Sequence, residues 1–222
     1  MVLPVRRPEP ARAALRARRL PRSFYARDAL SVARDLLGKL LVHRGRGGTV
    51  AARIVEVEAY RGPEDRAAHT YGGRRTPRNE VMWEREARLY VYFVYGIHFC
   101  ANVVAGGVGV PEAVLLRAAE PLAGLAIARD RRGPGARDEH LMRGPACLCK
   151  ALGLDGAHNG ADLLRGPLGL LDAPPVPDAE VGRGPRIGVD YAGDHAARPW
   201  RFWVSGSPAV SRPRPAPGAQ VS

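Results

Sequence analysis

The sequence predicts an α+β fold: one domain in which helices flank a mostly antiparallel sheet. The first observation is size, because 222 residues, 45% of them hydrophobic, suit a single domain with a sizeable core. The second is the order of the segments. Strand-like runs follow one another, with helical runs before and between them, and no internal repeat is present.

The N-terminal part of the chain predicts one helix and two strands. Within "SFYARDALSVARDLLGKLLV", residues from about 28 to 37 have helical spacing, and Gly38 is placed to end the helix. "KLLVHR" and "TVAARIVEVEAY" predict strands joined through "GRGG". The apolar face of the helix consists of Ala29, Leu30, Ala33, Leu36 and Leu37.

A long loop and several further elements are predicted after the second strand. Residues 61–83 are too rich in Gly, Pro and charge for a regular element, and long ordered loops are often functional. "ARLYVYFV" and "IHFCANVV" predict a hairpin that turns at Tyr95-Gly96. "EAVLLRAAEP" predicts a strand, "LAGLAIARDRR" and "GPACLCKALGL" predict helices, and "RIGVDYA" and "WRFWVSG" predict late strands.

The two ends differ in composition from the middle of the chain. Residues 1–22 predict a mobile basic arm, residues 23–207 the folded domain, and residues 208–222 a Pro-rich flexible tail. The basic N-terminus lacks the apolar segment of a secretory signal, and no apolar run approaches the length of a membrane span. We therefore expect a cytoplasmic protein.

The three cysteines predict neither a disulfide framework nor a metal site. Cys100, Cys147 and Cys149 are odd in number, and a reducing compartment is the simplest interpretation. His98-x-Cys100 and Cys147-x-Cys149 could each offer two ligands, but neither pair has the usual spacing of structural zinc. We expect no metal.

The charge of the chain points to a polyanionic partner. The formal net charge is +12, and a strongly basic protein usually meets nucleic acid or an acidic membrane. Nearly all the cations are arginines, since Lys39 and Lys150 are the only lysines. Chemistry that needs an amine therefore has few candidates.

The predicted hairpin places an aromatic side chain at an exposed tip. Successive side chains of a strand alternate between faces, so Tyr90 and Tyr92 share one face. Tyr95 at the turn gains little from the core. It either folds back onto its own sheet or acts as a wedge of the kind that unstacks DNA bases.

The strand "RIVEVEAY" places Glu56, Glu58 and Tyr60 on one face. Glutamates are poor strand formers, so two on one face have either a solvated position beside arginines such as Arg53 or a functional one. The functional interpretation is a general base at a cleft, next to an aromatic ring. His69 follows in the long loop, where lone histidines are more often structural or exposed than catalytic.

Five motifs together resemble the alkyladenine (3-methyladenine) DNA glycosylase family. They run in order from about residue 22 to residue 212 and cover nearly the whole chain. The most specific are the E-A-Y-x-G-P-x-D-x-A-A-H block and the Y-V-Y-x-x-Y-G hairpin. The other three are "VLLRAAEPLAGL", "RGPACLCKALGL" and "RIGVDYA…ARPWRFWVSGSPAVSR".

The resemblance implies a monofunctional base-excision enzyme. Such an enzyme flips alkylated or deaminated purines from duplex DNA and leaves an abasic site. 3-Methyladenine, 7-methylguanine, hypoxanthine and ethenoadenine all lie within the reach of the family. The implied fold is a single mixed domain with a curved antiparallel sheet and a DNA-inserting hairpin. We expect a monomer without a cofactor, associated with the nucleoid in a bacterium.

The resemblance also assigns roles in catalysis and DNA contact. Glu58 matches the general base that activates a water, and Arg117 matches the arginine that helps to hold that carboxylate and water. Tyr95 matches the residue that enters the minor groove and fills the space left by the flipped base. Arg74 and Arg78 match positions near the DNA backbone, where positive charge supplies affinity.

Four further residues match the family's base pocket. Tyr60, His69 and Tyr92 match the residues that enclose the flipped base, and Asn102 matches the asparagine that disfavours guanine. The chain departs from the family at "WEREAR", where a Gly-Pro-rich turn is usual, and at Cys147, where a lysine is frequent. These departures concern DNA affinity and lesion range.

Two other classes of function compete with a glycosylase. A basic nucleic-acid-binding protein without catalysis would carry a damaged Glu58, Arg117 or His69 position, but all three are present. A structural or RNA-binding role rests only on charge and the basic arm. Comparing duplex RNA with duplex DNA tests it, since a flipping enzyme that widens a B-form groove prefers DNA.

Overall fold

The computed structural model describes residues 15–211, and eight β-strands and four α-helices lie in this part of the chain. The helices are α1 (Arg22–Tyr25), α2 (Ala29–Leu36), α3 (Leu125–Arg132) and α4 (Pro145–Leu152). The strands are β1 (Leu40–Gly45), β2 (Gly48–Tyr60), β3 (Leu89–Val94), β4 (His98–Ala105), β5 (Glu112–Ala123), β6 (Leu168–Leu171), β7 (Val181–Gly184) and β8 (Arg201–Val204).

Strand β2 is the long interior strand of an antiparallel sheet with the strand order β3-β4-β5-β2-β1-β6. β5 pairs along one edge of β2, whereas β1 and then β8 share the other edge, and β7 joins through β8. The register between β2 and β5 shifts on both sides of Glu56, and such bulges bend a strand and increase its twist. The sheet therefore curls, which confirms the predicted α+β fold with a curved antiparallel sheet.

Helix α2 forms where the sequence predicts it. The Asp28 side chain accepts hydrogen bonds from the backbone N–H groups of Leu30 and Ser31 at 3.0 Å each, which caps the N-terminus. Val32 and Leu36 are fully buried in the core that α2 shares with the sheet. The helices predicted in "LAGLAIARDRR" and "GPACLCKALGL" are confirmed as α3 and α4.

The predicted strand at "RIGVDYA" is wrong. Residues 185–189 are irregular, and a 3₁₀ segment runs from Asp190 to His195. Polar anchors replace strand pairing here: the Arg186 guanidinium bonds Asp65, and the backbone N–H of Ile187 donates to Glu58. The backbone amide of Ile187, which a strand would use to pair with its neighbour, thus donates to a carboxylate instead.

Two short strands have weak sequence signals and were not predicted. β6 has the sequence "LGLL", and β7 has the sequence "VGRG", which contains two poor strand formers. Gly182 of β7 is required because the indole of Trp203 packs onto it, and an added Cβ would lie 2.1 Å from Trp203 Nε1. The strand depends on this tertiary contact rather than on local propensity.

The packed domain includes residues at both edges of the described range. Leu20 is buried, and the Arg19 guanidinium donates to the carbonyl oxygens of Leu163 and Leu168 at 2.7 Å each. Val210 and Ser211 are also buried. The predicted arm over residues 1–22 and tail over residues 208–222 thus contain packed residues at their inner ends. Residues 1–14 and 212–222 lie outside the described residues.

Three further observations on residues 15–211 concern membrane spans, metal ligands and thiols. No helix there is both long and apolar enough to cross a membrane. In the same part of the chain, no three His, Cys, Asp or Glu side chains converge as metal ligands would. The thiols of Cys100, Cys147 and Cys149 are free.

Candidate active site: a buried carboxylate beside an aromatic cavity

Glu58 of β2 is fully buried and held from two sides. Its Oε1 accepts a hydrogen bond from the backbone N–H of Ile187 at 2.8 Å. Its Oε2 accepts one from the Tyr60 hydroxyl at 3.0 Å. The alternative of a solvated glutamate face is therefore wrong, and the carboxylate has one fixed orientation.

Arg117 of β5 connects Glu58 to a second buried carboxylate. Its Nη1 lies 3.2 Å from Glu58 Oε1, and its Nε donates to Glu56 Oε1 at 3.1 Å. Burial alone would lower the pKa of Arg117, but the charges of Glu58 and Glu56 outweigh burial and raise it. A fixed positive charge therefore lies beside the Glu58 carboxylate.

A cavity of about 350 Å³ lies against the groups that hold Glu58. This volume is within the range of small-molecule sites. Glu58 itself sits behind the wall, in contact with it through Tyr60, Arg117 and Ile187. The predicted site residues that line the cavity are Tyr60, His69, Arg78, Tyr92, Tyr95, Asn102 and Arg117.

His69 and two tyrosines form one aromatic wall. His69 Nδ1 lies 2.9 Å from the Tyr90 hydroxyl, and its ring meets Tyr92 edge-on with 4.6 Å between centroids. His69 is exposed on one side, but desolvation of the part that faces the protein, with the charges of Arg78 and Arg74, lowers its pKa to about 4. His69 is therefore neutral at pH 7 and offers no positive charge to a bound ring.

The remaining walls combine neutral phenols with an amide. Burial raises the pKa of Tyr60, further aided by the Glu58 charge, and burial also raises the pKa of Tyr92. Both rings stay un-ionised and electron-rich. Asn102 of β4 is buried opposite Tyr90 and donates from Nδ2 to the Tyr90 carbonyl at 3.2 Å, which fixes the amide plane in the wall.

The hairpin tip carries Tyr95 away from the protein. Tyr95 and Gly96 have φ values of 53° and 69°, and the N–H of Ile97 bonds the Val94 carbonyl at 3.3 Å, as in a type I′ turn. Positive φ is unfavourable for tyrosine, yet its side chain is 87% exposed and gains no burial in return. The alternative in which Tyr95 folds back onto the sheet is therefore wrong.

A buried ion pair anchors the long loop that carries His69. Asp65 and Arg186 are both fully enclosed, and Arg186 Nη2 donates to Asp65 Oδ1 at 2.8 Å. Burial would raise the pKa of Asp65, but the Arg186 guanidinium outweighs burial and holds it below its usual value. Arg186 also lies over the rings of Tyr60 and Trp200, at 4.7 and 4.9 Å from their centroids. The pair thereby fixes the Tyr60 side of the cavity.

The two predicted backbone-contacting arginines lie at the rim. Arg78 donates to the Phe93 carbonyl at 3.1 Å and lies over the Tyr92 ring at 5.2 Å. Arg74 is exposed and lines a neighbouring cavity of about 300 Å³. The buried Asn79 side chain fixes the loop that carries His69 and Arg74, because its Nδ2 donates to the carbonyls of both residues.

The structure adds site residues for which we had predicted no role. Glu56 shares its strand face with Glu58, so the alternating pattern contained a signal for it. Asp65 lies within a quoted motif, but a buried partner more than one hundred residues away leaves no local pattern. Tyr90 and Arg186 are further additions, as are Arg201 and Ser211, which both donate to Glu56, and all four are buried.

The cavity and the held carboxylate together define a class of enzyme. Aromatic walls suit a flat, electron-poor ring, and a carboxylate held directly behind them suits hydrolysis of the bond that attaches this ring. The curled sheet and the exposed hairpin tyrosine agree with the fold expected of a DNA glycosylase. The molecule is a hydrolase of the type that acts on N-glycosyl bonds.

Comparison with known proteins identifies the family. The model of the methylpurine-DNA glycosylase family matches residues 23–208, and the chain belongs to this family. A relative from Anaeromyxobacter dehalogenans is 52% identical over 90% of this chain and 89% of its own length. One from Myxococcus xanthus is 51% identical over 90% and 96%. Both are provisionally named 3-methyladenine DNA glycosylase.

Proposed function

We propose that the protein excises alkylated and deaminated purines from duplex DNA by hydrolysis, with Glu58 as general base. The observation that carries this proposal is the buried Glu58 carboxylate, held by three residues that line an aromatic cavity, Ile187, Tyr60 and Arg117. The names of the relatives support the substrate class. The enzyme acts as a cytoplasmic monomer and leaves an abasic site.

The reaction needs one positioned water and one base. Glu58 takes a proton from the water as its oxygen bonds to C1′ of the sugar, and the C1′–N bond breaks with its electron pair going to the base. General-base assistance is typically worth about 10²–10⁴ in rate. Arg117 lies 3.2 Å from the Glu58 carboxylate and holds its orientation.

The lysines support water rather than an amine as the nucleophile. A lyase mechanism requires a Schiff base on an amine. Lys39 is committed to Asp172 at 2.7 Å, and Lys150 lines a different hollow from the aromatic cavity. Neither of the two lysines of the chain lines the cavity.

The cavity walls suit a positively charged purine. 3-Methyladenine and 7-methylguanine nucleosides carry positive charge, which the π faces of Tyr60 and Tyr92 attract and which leaves with the departing base. The neutral His69 adds no opposing charge. Asn102, fixed by Tyr90, disfavours the exocyclic amino group of undamaged guanine. Hypoxanthine and ethenoadenine, being neutral, depend more strongly on Glu58 and on help to the leaving base.

The hairpin and the rim bring the damaged base to the cavity. Tyr95 enters the minor groove and fills the space that the flipped nucleotide leaves, because its ring is exposed on a tight turn and also lines the cavity. Arg74 and Arg78 contact the DNA backbone nearby. The net charge of +12 supplies further affinity without sequence preference.

Single-turnover excision tests the proposal. One duplex carries a single hypoxanthine, a second carries a single 7-methylguanine, and the Glu58→Gln variant is the control for each. We expect wild type to release both bases, and Glu58→Gln to lose release while still binding lesion DNA. Equal release by the variant would remove Glu58 from its role. Binding without release by wild type would favour a catalytically inactive DNA-binding protein.

A further inference from the structure

Glu56 forms a second buried anionic centre next to the proposed base. It lies one strand period from Glu58, and its side chain is fully enclosed. Its Oε1 accepts from Arg117 Nε at 3.1 Å, Arg201 Nε at 2.7 Å and Ser211 Oγ at 2.8 Å. Its Oε2 accepts from the Ser211 N–H at 2.6 Å. The proposed reaction gives this carboxylate no task.

Within residues 15–211, the charged side chains of the cluster are of both signs in equal number. Two carboxylates, Glu56 and Glu58, face two guanidiniums, Arg117 and Arg201, and all four side chains are buried. Arg117 is shared, because Nε serves Glu56 while Nη1 serves Glu58. Buried charges interact strongly at this range, so a change in any one of them is felt by Glu58.

We propose that Glu56 is a positioning residue that sets both the orientation and the proton affinity of Glu58 through Arg117. By binding Nε, it fixes the plane of the Arg117 guanidinium, so that Nη1 points at Glu58. By its negative charge, it offsets the two arginines and keeps Glu58 a stronger base. This inference rests on the proposed function of Glu58 as general base.

The same network ties the end of the described chain to the site. The Ser211 hydroxyl donates to Glu56 and accepts from Arg117 Nη2 at 3.2 Å. Three segments distant in sequence, β2, β5 and the residues after β8, therefore converge on one guanidinium. Apolar residues often replace buried ion pairs without loss of stability. Stability alone therefore does not explain why this ion-pair network is linked to the reacting carboxylate.

Charge substitutions of opposite sign test the inference. Single-turnover release of 7-methylguanine is followed from pH 4.5 to pH 8 in wild type, Glu56→Gln and Arg201→Gln. Glu56→Gln removes a negative charge, so the acid limb of the rate moves to lower pH by about one unit, and the plateau rate falls about 10- to 100-fold. Arg201→Gln removes a positive charge and moves the limb to higher pH.

A matched substitution separates charge from folding. Glu112 is a buried carboxylate that accepts the Ala29 N–H at 2.6 Å, outside the cluster. Burial raises the pKa of Glu112, so Glu112→Gln removes a buried negative charge over the neutral part of the pH range and is expected to leave the acid limb in place. Circular dichroism verifies that each variant folds. If Glu56→Gln does not fold, the upward shift in Arg201→Gln carries the test.

A second readout distinguishes failure of this inference from failure of the proposed function. With ¹³C-labelled glutamate, the carboxyl signal of Glu58, assigned by its loss in Glu58→Gln, is titrated in the same variants. We expect its midpoint to move down in Glu56→Gln and up in Arg201→Gln. Unchanged midpoints would overturn the inference even if excision occurs. Shifted midpoints without excision by wild type would contradict only the proposed function.

Discussion

The interior of the site and the tip of the hairpin differ in how their functional side chains are held: those of the interior are buried and paired, and that of the tip is exposed. In the interior, Glu58 and Asp65 are fully buried, and each is paired with an arginine that is itself enclosed. At the tip, Tyr95 is 87% exposed on a turn with positive φ. The interior therefore stabilises fixed charges, whereas the tip exposes an aromatic ring on a backbone with positive φ, which is unfavourable for tyrosine.

The difference agrees with the roles that we propose for the two regions. A general base works only in a fixed orientation, and Glu58 lies on β2, held by groups from three segments. A residue that enters DNA has to remain free of its own protein, and Tyr95 lies exposed at the end of a hairpin. Substitutions that leave an interior charge unpaired should therefore affect stability, whereas substitutions at the tip should affect only function.

The largest effect is expected from Asp65→Ala. This variant leaves the fully buried Arg186 without its carboxylate, and an uncompensated buried charge lowers the free energy of unfolding by about 3–5 kcal/mol. Denaturant unfolding measures it. Asp194→Ala is the control, because its pair with Arg66 at 3.0 Å is exposed on both sides and should contribute less than about 1 kcal/mol. Equal losses would contradict the contrast between interior and surface.

Tyr95→Gly should have the converse effect. Glycine adopts the turn's positive φ readily, so the free energy of unfolding should stay within about 0.5 kcal/mol of wild type. Release of hypoxanthine should fall about 10- to 100-fold, since a stacked ring is worth about 1–3 kcal/mol. Tyr95→Phe keeps the ring and should release the base at nearly the wild-type rate. A fall in stability without a fall in release would reverse our assignment of the tip.

The same contrast explains how far the sequence predicts this molecule. The hairpin, the long loop and α2 follow from local signals: an X-Gly turn, clustered Gly and Pro, and apolar residues at helical spacing. The buried pairs do not, because Asp65 and Arg186 meet only in the folded chain, and neither carries a periodic signal. The strand predicted around Ile187 was wrong for a related reason. Its backbone amide donates to Glu58, a residue far away in sequence, and no local pattern reveals this bond.

Arg74→Gln should have a smaller effect, confined to binding. Arg74 is exposed at the rim, so its loss should leave stability unchanged. Each phosphate contact contributes about 0.9 to the slope of log affinity against log salt, and the slope should fall by about that amount. Titration of lesion duplex at several salt concentrations measures it. Arg137→Gln, on an exposed arginine after α3, should leave the slope unchanged.

The smallest effect is expected from the proton chemistry of His69. Its pKa is about 4 in the folded protein, below the value of about 6.5 expected in the unfolded chain, so the unfolded state binds more protons between these values. Wild-type stability should therefore decline as the pH falls from 7 to 5, and this part of the decline should be absent in His69→Phe. Denaturant unfolding at both pH values measures the difference. His98→Phe, on the exposed part of the hairpin, should keep the wild-type dependence. An unchanged dependence in His69→Phe would mean that His69 binds its proton equally in the folded and unfolded states, which would contradict a lowered pKa in the cavity wall.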